Sequence, residues 1–379
     1  MKILLDGVEV ELRGFISLDD EIDKAFQHFY TKFFNNYLSG RQETIDLLLR
    51  EFIPSVHAFF DRNQTNNPRQ DAFFTNMTFA WKASLDAGYL LDAQFLWEQL
   101  VLETRLWENK TGSRVHKGSA LYFWGGTALM QGEQDKGYFL VHSAFQEDQL
   151  TSGEDLPQTP AFNFVSLEYK GDQYLREYTQ SVANYFQQFF IQYRIERLSQ
   201  FNLESFREKF LLNPPNVSTL FSLAHSLAKM QNWDNLPAYV FNNDFSAQQQ
   251  LNLIFDLTLV IDETIRASYP NATHHTTFIT YAEHIAIHAW LNLDLQDFRG
   301  INRRFNQDPE RVLFDLIHRL FSLNNGRRLT PLESDLAICY CLRNRAAHRL
   351  EALATIGAFY RQICQSVANI LLLAVETLY

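Results

Sequence analysis

The chain has 379 residues, 46% hydrophobic and 20% charged, which is enough apolar side chain for a sizeable core and length for about two to three domains. Lysine and arginine number 33 against 44 acidic residues, so the net charge of -11 argues against a whole-surface hold on nucleic acid or anionic lipid; any anion site is local. Asp6 interrupts the amino terminus before a signal-peptide apolar region forms, and no apolar run reaches about 18 residues, so a cytoplasmic protein with no membrane partner is expected.

Residues 2–12 pattern as two short strands around Asp6-Gly7, a dipeptide suited to a tight hairpin. From Ser17 onward the spacing turns helical: Phe26, Phe29, Tyr30, Phe33, Phe34 and Leu38 share a face, and Ser17 with Asp20 forms an N-cap pair. With 15 Gly and 10 Pro lying mostly between such segments, the chain reads as all-α apart from that hairpin. Its 33 Phe and 16 Tyr fit helix-to-helix packing better than base-stacking platforms, which need exposed rings.

Residues 70–150 read as antiparallel helix pairs. In the clearest, from His116 to Asp148, Leu121, Trp124, Gly125, Ala128, Gly137, Val141 and Ala144 resemble the tetratricopeptide pattern, in which small residues let two helices approach closely. The preceding pair, with Trp81, Ala93, Trp97 and Leu100, repeats it less well. Thr151–Pro160 reads as a loop, and an aromatic helix spans about 172–198, with shorter ones up to 236. Pro214-Pro215 and Asn242-Asn243-Asp244 are breaks; the second divides a docking or sensing region, 1–243, from a bundle, 244–379. That bundle is expected to hold helices at 246–268, 276–295, 308–323, 331–353 and 355–378. Cys339, Cys341 and Cys364, without a CxxC, read as reduced core residues.

Charge is uneven. Between Arg299 and Arg361 stand 11 arginines, no lysine and 6 acidic residues, a local balance of +5 that leaves -16 for the rest. Guanidinium pairs bidentately with phosphate, so Arg327, Arg328, Arg345 and Arg349 are candidate RNA contacts, although ion pairing within the bundle accounts for most such arginines.

Thr330-Pro331-Leu332-Glu333 is a strong helix start, with a cap, a proline at the first position and a glutamate completing a capping box. The helix keeps Leu332, Leu336, Cys339, Leu342, Ala346, Leu350 and Leu353 on one apolar face, yet carries Arg343-Asn344-Arg345-Ala346-Ala347-His348-Arg349. Leu342-Arg343-Asn344-x-x-Ala347-His348 resembles the Arg-x4-6-His signature of HEPN domains, including the polar residue after the Arg and the apolar closing helix. The resemblance covers about the last third of the chain. It implies a metal-independent endoribonuclease acting as a homodimer through the C-terminal bundle, with two motifs meeting to form one site and no cofactor.

Elementary chemistry is compatible with that role. A spacing of five puts Arg343 and His348 about 140° apart on a helix, so copies from two chains near a twofold axis would form a groove better than one chain alone. Histidine exchanges a proton with the ribose 2′-hydroxyl or the departing 5′-oxygen near neutral pH. Arg343 is expected to hold the phosphate, and Asn344 to orient His348 or the scissile phosphate. By fold-level analogy the expected role is a regulated toxin or defence effector, with a toxin neutralised by an antitoxin of nucleotidyltransferase type as one form of it; the alternative is a non-catalytic scaffold or adaptor whose bundle binds a nucleotide or partner. His284 and His288 have the i, i+4 spacing of a metal pair but lack HExxH and a third ligand, so no metal site is expected. His274-His275 reads as a solvated loop pair.

Overall fold

A computed structural model describes residues 1–167, 175–211, 217–235, 244–269, 277–348 and 354–379. Strands β1 (Lys2–Leu5) and β2 (Val8–Glu11) pair antiparallel with Leu5 opposite Val8. Asp6 and Gly7, at φ 48° and 81°, supply the two left-handed residues that a tight primed turn requires. The described residues beyond the hairpin are overwhelmingly helical, as the pattern indicates.

One compact unit comprises Met1–Asn163. Its helices are α1 (Asp20–Asn36), α2 (Arg41–Arg62), α3 (Asn67–Asp86), α4 (Leu90–Thr111), α5 (Gly118–Met130) and α6 (Gln134–Thr151). Asp19, not Ser17, caps α1: its carboxylate accepts from the Glu21 and Ile22 amides, while Ser17 donates its hydroxyl to Asp23 at 2.5 Å. Phenylalanines from three helices form the core, with Phe26, Phe52, Phe59, Phe60, Phe73 and Phe74 all buried; Phe26 and Phe52 meet edge-on at 5.0 Å. The α5–α6 seam needs its glycines. A Cβ on Gly125 would lie 2.8 Å from Val141 Cγ2, and one on Gly137 would lie 2.5 Å from Leu129 Cγ. The stretch expected as a loop contains a 3₁₀ helix, Gly153–Gln158.

The division falls inside α7 (Pro160–Val165), and the second unit contains Leu175–Tyr379. Here lie α8 (Arg176–Arg197), α9 (Leu203–Phe206) with a π turn after it, α10 (Val217–Asp234), α11 (Asp244–Ser268) and α12 (Phe278–His288). Then follow α13 (Leu295–Gln307), α14 (Pro309–Ile317), α15 (Pro331–His348), α16 (Ala354–Ala358) and α17 (Tyr360–Leu378). The boundary expected at 243 is therefore not a boundary of compact units. The physical reason is packing: Phe186 and Phe189 of α8 and Leu223 and Leu227 of α10 share one apolar seam with Leu257 of α11 and Val367 and Leu371 of α17.

Two helices also end earlier than their apolar patterns, and a third pattern divides. Trp290, at φ 59°, turns the chain after α12, and Arg319, at the same φ, does so after α14. The last pattern splits at Phe359. Between α12 and α14 stands α13, which the periodicity did not indicate; Asp294 and Asp297 start it with a capping box, and Phe298, Ile301 and Phe305 anchor it. From Leu332 to Leu342 helix α15 is buried on all sides, not along one face: Leu336, Ala337, Ile338, Cys339, Cys341 and Leu342 are all inaccessible. The three cysteines are free and buried, and burial pushes each thiol well up. Among the described residues no helix is long and apolar enough to cross a membrane.

Candidate functional site

Helix α15 positions the motif, and its start is firmly held. The Thr330 amide donates to Glu333 Oε2 at 2.8 Å, and the Glu333 amide donates back to Thr330 Oγ1 at 3.4 Å, closing the capping box. Glu333 also takes the Arg327 guanidinium at 2.8 Å and the Asn292 amide at 2.8 Å. Arg327 is thus committed to the base of α15, with Nη2 on the Asn292 carbonyl.

Three turns further along, Arg343 donates from both Nε and Nη2 to Asp262 Oδ2 of α11, each at 3.1 Å. Its guanidinium carbon lies 5.9 Å from the centre of the Phe278 ring of α12. One edge of the guanidinium is therefore fixed by a carboxylate. Nη1 has no hydrogen-bond partner among the described residues, and the side chain is 27% exposed. Burial pushes the Asp262 carboxyl above its ordinary range, and the Arg343 charge opposes that push. Asp262 Oδ1 is buried without a described partner.

Asn344 is half-buried and follows Tyr340 by one turn on α15. Burial raises the Tyr340 hydroxyl, while the Asn344 carboxamide and the Arg299 charge act the other way. The Tyr340 ring stacks on Phe278 at 6.4 Å and meets the edge of Phe298 at 5.3 Å. Arg345, two residues round the helix from Arg343, is buried at 9% exposure. Arg328 is exposed, in an isolated bridge with Ser322. His348 is the last residue of α15; its side chain, the whole of Arg349 and the His274-His275 pair lie outside the described residues.

Sequence reasoning missed two features of this neighbourhood. Asp262 lies 81 residues before Arg343, and no local spacing announces the pair. Arg299 and Arg303 of α13 are exposed and form no ion pair among the described residues. Their signal was available: they stand at i, i+4 with no acidic residue three or four positions away on either side.

Other polar clusters are closed on themselves. In the first unit His116 Nε2 lies 3.2 Å from Asp148 Oδ1, Lys117 donates to Glu108 at 2.5 Å, Arg114 to Glu147 at 2.7 Å, and Ser119 to Asp71 at 2.5 Å. In the second unit a cleft of about 450 Å³ between α8, α10 and α17 presents the carboxamides of Asn184, Gln188, Gln231 and Gln365, and its arginine, Arg361, is paired to Asp234 at 3.2 Å. The rings of His284 and His288 lie 4.1 Å apart, tilted by 54°, but no group of three His, Cys, Asp or Glu among the described residues is arranged to hold a metal ion.

No protein-family model, curated protein or solved structure matches this chain.

Proposed function

We propose that the C-terminal unit is a metal-independent endoribonuclease of the HEPN type, acting on single-stranded RNA. The observation that carries this reading is Arg343: Asp262 holds the Nε/Nη2 edge of its guanidinium, which leaves Nη1 for a phosphate oxygen. His348, five residues on and on the same helix, is the proton carrier in this scheme. The ribose 2′-hydroxyl loses its proton and attacks phosphorus, the bond to the 5′-oxygen breaks, and that oxygen takes a proton. Arg343 balances the charge that builds on the non-bridging oxygens, and Asn344 orients the phosphate or His348. The upstream product ends in a 2′,3′-cyclic phosphate and the downstream one in a 5′-hydroxyl. Assembly is a homodimer through the C-terminal unit, with the helical hairpins of the first unit docking a regulator, such as an antitoxin; a toxin or defence effector of the cytoplasm is the corresponding biological role.

The adaptor reading is favoured by one observation, the neutralisation of Arg343 by Asp262, since an ion pair of this kind also serves structure alone. One experiment separates the two. End-labelled single-stranded RNA is incubated with wild type, Arg343→Ala and His348→Ala. Cleavage by wild type and a loss of about 10³-fold in both variants is expected; cleavage at the wild-type rate by either variant moves the site elsewhere, and an inert wild type leaves the adaptor.

A further inference from the structure

On the ribonuclease reading of α15, we infer that Arg299 and Arg303 of α13 form a phosphate track that holds the RNA backbone beside the scissile linkage.

The inference rests on what the neighbouring arginines do. Arg319 pairs with Asp335 at 2.7 Å, Arg327 with Glu333 at 2.8 Å, Arg343 with Asp262 at 3.1 Å and Arg361 with Asp234 at 3.2 Å. Arg304 is turned onto the Ser322 carbonyl at 2.8 Å. Arg299 and Arg303 stand apart from this pattern: both are exposed, neither has an acidic partner among the described residues, and at i, i+4 they repel each other along α13. An uncompensated like-charge pair is a cost to the helix that an anion removes.

Position gives the anion its identity. Phe298, the residue before Arg299, packs its ring against Tyr340 at 5.3 Å, Tyr340 stacks on Phe278 at 6.4 Å, and the Arg343 guanidinium carbon lies 5.9 Å from that Phe278 ring. The Arg299 charge is near enough to act on the Tyr340 hydroxyl. The start of α13, which carries Arg299, therefore packs against the same aromatic group that the Arg343 guanidinium lies over. Four residues along a helix advance about 6 Å, comparable with the step between successive phosphates of an extended strand. Two guanidinium groups on that spacing suit adjacent phosphodiesters, and they carry no base-reading geometry, so the track contributes affinity without sequence preference. An acidic protein segment would also meet two positive charges, but adjacency to the Arg343 edge favours the substrate backbone.

The test is the salt dependence of binding, read on the full chain with a fluorescein-labelled 2′-O-methyl oligouridine, whose blocked hydroxyl prevents the proposed cleavage. Wild type and Arg299→Gln/Arg303→Gln are titrated across a range of KCl concentrations, with circular dichroism confirming equal folding and Arg299→Lys/Arg303→Lys as the charge-preserving control. Two lost phosphate contacts should lower the slope of log K against log[KCl] by about 1.4, and the lysine pair should retain most of it. An unchanged slope, or no binding by wild type at low salt, overturns the track. The same loss of slope seen with poly-glutamate and absent with RNA also overturns it, and assigns the face to an acidic protein. Cleavage of ordinary RNA is followed in parallel: a lowered slope without any cleavage refutes the ribonuclease reading alone, whereas cleavage with an unchanged slope refutes the track alone.

Discussion

The polar cluster around His116 and the face around Arg343 use similar side chains in different ways. At His116 each polar group meets a partner inside the same unit: the imidazole with Asp148, Lys117 with Glu108, Arg114 with Glu147. Gly118 is part of that closure, because a Cβ there would collide with Asp148 Oδ1 and lie 2.9 Å from His116 Nε2. At Arg343 the pairing is partial. Asp262 takes one edge of the guanidinium, Nη1 has no described partner, and Arg299 and Arg303 nearby have no described acid. A saturated cluster holds a fold together; a cluster that keeps donors in reserve can offer them to a ligand, which is the proposal for Arg343.

The comparison breaks most sharply at Asp262. If it positions Arg343, Asp262→Ala should lower kcat for RNA cleavage by about 10- to 100-fold, since a misaimed group is costly. Asp262→Asn, which keeps an acceptor for the guanidinium, should recover much of that loss. Equal defects in both variants, confined to thermal stability, would make the pair purely structural. At the saturated cluster the effect belongs to stability. Gly118→Ala should cost about 1–3 kcal/mol through the forced shift of Asp148 and His116, seen as a lower Tm, with the cleavage rate of the folded fraction unchanged; a wild-type Tm would show that the cluster yields easily.

A smaller effect concerns a third arrangement, intermediate between these two. Glu196 lies beside Asp335, both accept from the Asn369 carboxamide (3.0 and 2.7 Å), and Arg319 reaches both. Burial and the Asp335 charge hold the Glu196 carboxyl above its ordinary range. The folded chain then binds that proton more tightly than the unfolded chain, so this contribution to stability declines as pH rises from the ordinary glutamate value through the raised one. Glu196→Gln lacks the titration and should gain on wild type by about 1 kcal/mol or less across that window. A difference in Tm between the two proteins that stays constant with pH would contradict it.

What the sequence disclosed was local. Asp6-Gly7 announced the hairpin, Thr330 to Glu333 announced the start of α15, and Gly125 with Gly137 announced a close helix seam; each signal lies within a few residues or one hairpin. What it concealed depends on packing between distant segments. The break at Asn242 reads as a boundary, yet α8 and α10 bury their phenylalanines and leucines against α11 and α17. Helix α13 escaped notice because its few apolar anchors, Phe298, Ile301 and Phe305, alternate with Asn, Arg and Gln, and it is this helix that carries Arg299 and Arg303. The Arg343–Asp262 pair joins α15 to α11 by tertiary contact alone.

The most direct measurement of the central proposal uses RNA with one 2′-deoxyribose at a mapped cleavage position, incubated with the full chain in excess EDTA. A site built on Arg343 and His348 uses the substrate's own hydroxyl and needs no divalent ion to activate water. The account predicts that unmodified RNA is cut in EDTA to fragments ending in 2′,3′-cyclic phosphate, and that the deoxy linkage alone survives. Scission at the deoxy linkage, or cleavage abolished by EDTA, would contradict it.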